Sequence, residues 1–241
     1  MPDPTPAGEA AGLLADSVAV DDFVTWSEWA LARVGFRPSN CLALVDVCRD
    51  ELMADFDEQV SHVWGRPFAI GSLAGLVFLG RTGLQAALSH VPGEDGRHRF
   101  VAFCFPHIGI DEDGTVGRVQ RRGMSRASVA CGALAAFRSE LTGPRAEAVL
   151  DVDDVEQSLL RMRLGPLVPD GYVPSLTELT ELARASAVAD VHRFVDLARG
   201  HEPVDVAYIS GTVVHLPDGV DHVAAVQAEV VIDGVLIPLP H

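Results

Sequence analysis

Positive charge is what this 241-residue chain has least of: 18 basic side chains stand against 34 acidic ones, a formal net charge of −16. A surface of that sign repels phosphate backbones and anionic lipid, so neither nucleic acid nor a membrane is an expected partner. It offers no general attraction to an anionic substrate either, whereas a small neutral one is easily admitted. Long apolar runs are also missing. The longest, AIGSLAGLVFLG, has 12 residues and three glycines, too short and too glycine-rich to span a bilayer. The opening stretch MPDPTPAGEAAGLLADS lacks the basic start and apolar centre of a signal peptide. The expectation is a cytoplasmic protein with reduced cysteines. There are only four of them, and in that compartment cysteine is more often buried, metal-bound or catalytic than disulfide-linked. No internal repeat and no long low-complexity linker divides the chain, so a single domain over residues 20–241 is expected, preceded by a flexible arm over 1–19.

What is present is apolar content, 48% of residues with only 6% aromatic, enough Ala, Val and Leu to fill a sizeable core. In DDFVTWSEWALARV, residues 21–34, Phe23, Trp26, Trp29 and Val34 recur at helical spacing, and Gly35 ends the helix. NCLALVDVC is an apolar run of strand length interrupted by Asp46. DELMADFDEQVSHVW returns to helical spacing at Leu52, Phe56 and Val60. Strand, short turn and helix in that order are the first unit of a parallel α/β sheet. A helix follows from about Thr82, FVAFCFPHIGI reads as another buried strand, and DEDGTVGRV as a turn and an extended piece. SRASVACGALAAFRSEL is expected to start with a Ser cap and run as a helix. DVDDVEQSLLRMRLGPL and SLTELTELARASAVADVHRFVDLARG are further helices, and DVAYISGTVVHLP with HVAAVQAEVVIDG reads as a late hairpin or edge pair. The fold class expected is α/β, Rossmann-like, with a mostly parallel sheet flanked by helices.

Three residues carry a chemistry. Cys48, His107 and Cys131 each end a strand-like stretch or open a helix, where α/β sheets place ligand sites. Two thiolates and an imidazole are three of the four ligands of a tetrahedral Zn²⁺, and three protein ligands leave one position open for water, the catalytic arrangement. Asp50, two residues past the first cysteine, is placed to orient that water.

CRDEL, GRTGLQAALSHVP, FPHIGI and SVACGAL, in this order, resemble the limiting-CO2-inducible B/C family of β-type carbonic anhydrases, over most of residues 20–235. The resemblance implies a zinc lyase with a β-carbonic anhydrase core, usually a homodimer. It carries zinc ligation to Cys48, His107 and Cys131 and the acidic role to Asp50. The reaction it implies is the reversible hydration of CO2 to bicarbonate by a zinc-bound hydroxide oriented by the Asp. Two departures from ordinary β-carbonic anhydrases stand out. In their C-x-D-x-R run the Arg position is Leu52 here, and their His and second Cys are two residues apart, whereas 24 positions separate His107 from Cys131. The Arg that pairs with Asp50 must come from elsewhere. Arg81 of GRTG is assigned that catalytic role, with Arg49 and Arg126 as further candidates. Such an Arg would keep Asp50 off the metal; without it Asp50 could become the fourth ligand and close the site.

Plainer readings apply to other residues. Cys41 and Cys104 lie inside apolar strands and are expected in the core. His90 and His98 could relay protons, since imidazole titrates near neutrality, but surface or cap positions suit them better. GRTG lacks the phosphate-loop pattern and reads as a tight turn lining the pocket. DEDG and DVDD lack EF-hand spacing, and Arg121 with Arg122 reads as a solvated basic pair. Phe23, Trp26 and Trp29 offer an apolar face for a second subunit. Two other functions stay open: a non-catalytic zinc-binding relative that responds to CO2 or bicarbonate through interactions, and a thiol enzyme with Cys48 as nucleophile and His107 as base.

Overall fold

The structure, a computed structural model, describes residues 6–92, 96–144, 149–198 and 203–239. In chain order its elements begin with α1 (Pro6–Leu14), β1 (Val18–Ala19), α2 (Val20–Ala32), β2 (Leu42–Val47), α3 (Ala54–Trp64), β3 (Phe68–Ala69) and α4 (Arg81–Leu88). They continue with β4 (His98–Phe105), β5 (His107–Gly109), β6 (Arg118–Val119), β7 (Ser128–Val129), α5 (Gly132–Glu140), α6 (Val155–Leu164), α7 (Leu176–Ala198), β8 (Val204–His215), β9 (His222–Ile232) and β10 (Val235–Pro238). The sheet runs in the order β1-β9-β8-β4-β2-β3. Strands β8, β4, β2 and β3 are parallel neighbours, and β5 continues the line of β4 along β8. Strand β9 turns back antiparallel on β8 and carries β1 and β10 on its outer side. The mixed α/β architecture with a mostly parallel, helix-flanked sheet is the expected one.

The central strands are rich in apolar residues and buried along nearly their whole length because both faces are covered, the pattern of a parallel core. On β4, Val101, Phe103 and Phe105 point into one hydrophobic cluster and Phe100, Ala102 and Cys104 into the other. Strands β2 and β8 alternate in step, with Ala43 and Val45 on the first side and Leu44 on the second, Ala207 and Ile209 against Val206 and Tyr208. Helices α2, α3, α5 and α6 cover the first face and α4 the second, while the long α7 contributes to both. Phe56, Val60 and Trp64, four residues apart, form the buried stripe of α3. The indole N–H of Trp64 is satisfied by Ser27 Oγ of α2 at 3.1 Å, which lets a polar atom lie inside this core.

Four sequence expectations change. The arm expected over 1–19 is, from residue 6, a helix and a two-residue strand. Helix α1 brings Ala10 and Leu13 over Ile108 and Val214. The helix expected from SRASVA starts only at Gly132, because Ser128 and Val129 pair with β6 and Cys131 takes the N-cap position. The late strands are a hairpin, but β8 lies in the middle of the sheet, between β9 and β4. The apolar face proposed on α2 is divided: Phe23 is buried in its own core, Trp26 is half-buried, and Trp29 is 60% exposed with Arg33 stacked on it. Asp46, which breaks the β2 pattern, is fully buried. Burial first, then the nearby Asp190 and Cys48, push its carboxyl well above the ordinary range. Among the described residues its two oxygens have no hydrogen-bond partner.

Candidate metal centre

The C-terminal ends of the parallel strands converge on one buried cluster. Cys48 directly follows β2. His107 opens β5 just after Pro106, whose missing N–H interrupts the strand before pairing resumes with β8 at Val213. Cys131 sits at the N-terminus of α5. One ligand atom from each of the three lies within 4.8 Å of the others, and all three residues are buried. The two sulfurs are 3.6 Å apart. That is far beyond a disulfide bond of ~2.05 Å. It is close to the ~3.8 Å that two Zn–S bonds of ~2.3 Å subtend at a tetrahedral angle. The Nε2 of His107 is buried without a hydrogen-bond partner, so its ring offers a donor atom that nothing else occupies. The donor set therefore fits a metal ion.

Local electrostatics prepare the sulfurs unequally. The hydrogen bond with Cys131, then burial, push the Cys48 thiol up. Cys131 moves down, chiefly through the same hydrogen bond and against its burial, aided by the backbone N–H groups of Ala133 and Leu134 at the helix start. Cys48 Sγ also accepts from the Ala74 N–H at 3.2 Å. That contact depends on two successive left-handed residues, Ala74 at φ +60° and Gly75 at φ +67°. Glycine is required at 75, where a Cβ would press on the Pro106 backbone at 3.3 Å. Glu156 of α6 fixes the loop by accepting from the Leu73 N–H at 3.2 Å.

Asp50 caps the 3₁₀ turn Glu51–Met53, its Oδ1 accepting from Leu52 N–H at 3.2 Å. Its Oδ2 lies 3.9 Å from His107 Nε2. Arg121 Nη2 donates to both Asp50 oxygens, at 2.7 and 3.0 Å. Burial alone would raise the Asp50 carboxyl, but the Leu52 N–H, His107 and Arg121 together hold it below its ordinary value. The other guanidinium nitrogens of Arg121 reach Glu51 at 2.7 Å, Ser128 Oγ at 2.5 Å and the Val129 carbonyl at 2.9 Å. Every direction of the fork is used. Behind the cluster, His107 Nδ1 lies 2.9 Å from His215 Nε2, and His215 Nδ1 lies 2.8 Å from Asp221 Oδ2.

The model of the limiting CO2-inducible proteins B/C beta carbonic anhydrases matches residues 17–232. The chain belongs to this family. Its structure superposes on the crystal structure of PtLCIB4, a homolog of the limiting CO2-inducible protein LCIB, with a TM-score of 0.82 at 22% identity, covering 97% of this chain and 99% of that one. The crystal structure of LCIB itself matches with a TM-score of 0.75 at 26% identity, covering 96% and 97%. No curated protein matches the chain by sequence.

Within this LCIB-type frame the sequence assignments sort cleanly. Cys48, His107, Cys131 and Asp50 come together. The partner of Asp50 does not come from the residues named for it. Arg81 is the exposed first residue of α4, Arg126 is exposed, and Arg49 pairs with Glu156 at 2.5 Å. Arg121, read as half of a solvated pair, is the one that reaches Asp50. The 23 residues between His107 and Cys131 explain this. They build the β6–β7 hairpin, in which Arg118 faces Val129 and Val119 faces Ser128, and Arg121 leaves that hairpin pointing at Asp50. GRTG opens α4 rather than forming a tight turn. His98 begins β4, seven strand residues or roughly 23 Å from its site end, and His90 is exposed beside the Phe68 ring at 5.8 Å. Cys41 and Cys104 are core residues as expected.

Proposed function

We propose that this chain binds one Zn²⁺ through Cys48, His107 and Cys131 and catalyses the reversible hydration of CO2 to bicarbonate. Zinc at such a site supplies a Lewis acid that brings the pKa of a bound water toward ~7. The observation that carries the reading is the Asp50–Arg121 pair beside a three-donor cluster. With both oxygens bonded by Arg121, Asp50 is held as a neighbour of the cluster, and Cys48, His107 and Cys131 would hold the metal. Asp50 Oδ2, 3.9 Å from His107 Nε2, would accept a hydrogen from a water at the cluster and so orient its oxygen toward the carbon of CO2. A neutral gas meets no electrostatic barrier at a chain of charge −16, and the anionic product is repelled from it.

Arg121 argues against the non-catalytic alternative, because a closed site has no need of a group that restrains Asp50. A Cys48–His107 thiol enzyme would leave Cys131, 3.6 Å from the nucleophile, without a role. Elemental analysis together with stopped-flow CO2 hydration tests the proposal. One zinc per chain and a rate above buffer at pH 7–9 are expected. Full zinc without hydration would overturn the catalytic reading, and hydration in zinc-free protein would overturn the metal reading. A homodimer is the assembly that goes with this proposal, as the family resemblance implies. A monomer in light scattering at micromolar concentration would contradict it. Among the described residues no helix is long and apolar enough to cross a membrane.

A further inference from the structure

His215 and Asp221 touch none of the three ligand atoms' outer positions and belong to no motif singled out in the sequence, yet both are placed with care. His215 ends β8 and is buried, with its carbonyl accepting from Ile110 N–H at 2.9 Å. Its ring meets the His107 ring edge-on, with centroids 5.1 Å apart. Asp221 lies at the far end of the β8–β9 turn. Its carbonyl accepts from Val20 N–H at 3.0 Å, and its neighbour His222 is held by Ser17 Oγ at 3.0 Å and by pairing with Ala19. The N-terminal segment therefore clamps the residue that anchors His215.

We propose that His215 and Asp221 are positioning residues that hold His107 as its Nδ1–H tautomer and so present its Nε2 lone pair to the thiols of Cys48 and Cys131. The polarity of the chain follows from its outer end. A carboxylate only accepts hydrogen bonds, so Asp221 Oδ2 takes the proton of His215 Nδ1. An imidazole with its single hydrogen on Nδ1 has a bare Nε2, which accepts from His107 Nδ1–H. The one remaining nitrogen of His107, the buried and unpartnered Nε2, carries no hydrogen. Reversing any link would place an N–H on Nε2, facing the cluster, where it could not ligate. A ring nitrogen opposite the metal is commonly tied to a carboxylate or carbonyl; here a second imidazole is interposed and transmits the same instruction.

The purpose of this arrangement rests on the zinc reading, but the first arm of its test does not. Histidine-selective ¹⁵N labelling of metal-free wild type, read by long-range ¹H–¹⁵N correlation at neutral pH, is expected to show His107 and His215 both protonated at Nδ1 alone. His107 as the Nε2–H form, or His215 as a doubly protonated ring, would overturn the proposal. Zinc affinity by competition with a chromophoric chelator supplies the second arm. His215→Leu removes the acceptor and should weaken zinc by about 10–100-fold. His215→Gln, whose amide oxygen can accept from His107, should recover most of that loss. Where wild type binds zinc, equal loss in both variants, or none in either, would contradict a positioning role. Asp221→Ala contacts neither His107 nor a thiol and should give a mixture of His107 tautomers; an unchanged ¹⁵N pattern there would remove Asp221 from the proposal. Wild type with the expected tautomers and no zinc affinity would support the proposal and refute the metal reading.

Discussion

Replacing Arg121 by Ala isolates the contact on which the proposed mechanism depends. Arg121 and Asp50 expose 20% and 11% of their side chains, so their hydrogen bonds are partly screened. A charge-assisted bond contributes about 1.5–3 kcal/mol, and partial exposure argues for the low end of that range. After the substitution Asp50 keeps the Leu52 N–H, at 3.2 Å, and gains freedom to turn toward the cluster. An orienting group of this kind is commonly worth about 10²–10³-fold in rate, and Arg121→Ala should lose a comparable factor in kcat/KM for CO2 hydration while retaining zinc. Arg121→Lys should recover little, because one ammonium cannot serve Asp50, Glu51 and the Ser128–Val129 edge together. Loss of the Arg121 hydrogen bond also lets the Asp50 carboxyl rise, so the acid limb of bicarbonate dehydration should move to higher pH. The double variant Asp50→Ala, Arg121→Ala should be no slower than Asp50→Ala, since Arg121 acts through Asp50. A folded, zinc-loaded Arg121→Ala enzyme with the wild-type rate, or a double variant in which the losses multiply, would refute the reasoning.

Three further outcomes follow from the same structure. Cys48→Ser and Cys131→Ser should each lose the metal, and full zinc by elemental analysis in either would remove that residue from the ligand set. Ser27→Ala leaves the Trp64 indole N–H without its acceptor and should cost about 1–3 kcal/mol in urea unfolding; a cost near zero would show that this hydrogen bond carries no stability. Burial pushes the Cys41 thiol up from about 9 to about 12. The folded chain therefore keeps a proton that the unfolded chain releases, and stability is lost as pH rises from about 9 toward 12. Cys41→Ala, less stable than wild type by about 1 kcal/mol near pH 7.5, should close that gap above pH 9 at up to ~1.4 kcal/mol per pH unit. Unfolding curves with a pH-independent gap would contradict the shift.

The core and the ligand cluster were legible because each has a strong local signature. Strands β2, β4 and β8 are runs rich in apolar residues with few polar interruptions; Cys48 and His107 fall where such runs end, and Cys131 opens a helix. Arg121 was not legible. It follows a strand of two residues, Arg118–Val119, whose partner Ser128–Val129 is equally short, and strands of that length leave no period to read. The same shortness let SRASVA pass for the start of a helix, since Ser128 is committed to Arg121 by a contact seven residues away in sequence. His215 and Asp221 were invisible for another reason. His215 approaches His107 across 108 residues through parallel pairing of β5 with β8, Asp221 reaches the site only through His215, and only the register of that sheet brings them together. The helix PAGEAAGLL was hidden by its proline and glycines, and it is covered on one side only by contact with β5, β8 and β9.

The most direct test of the central claim is the exchange of ¹⁸O between labelled CO2 and water at chemical equilibrium, followed by membrane-inlet mass spectrometry on protein of measured zinc content. Loss of label faster than in buffer, proportional to bound zinc and abolished in Cys48→Ser, is the expected result. Label loss at the buffer rate with one zinc per chain would contradict it.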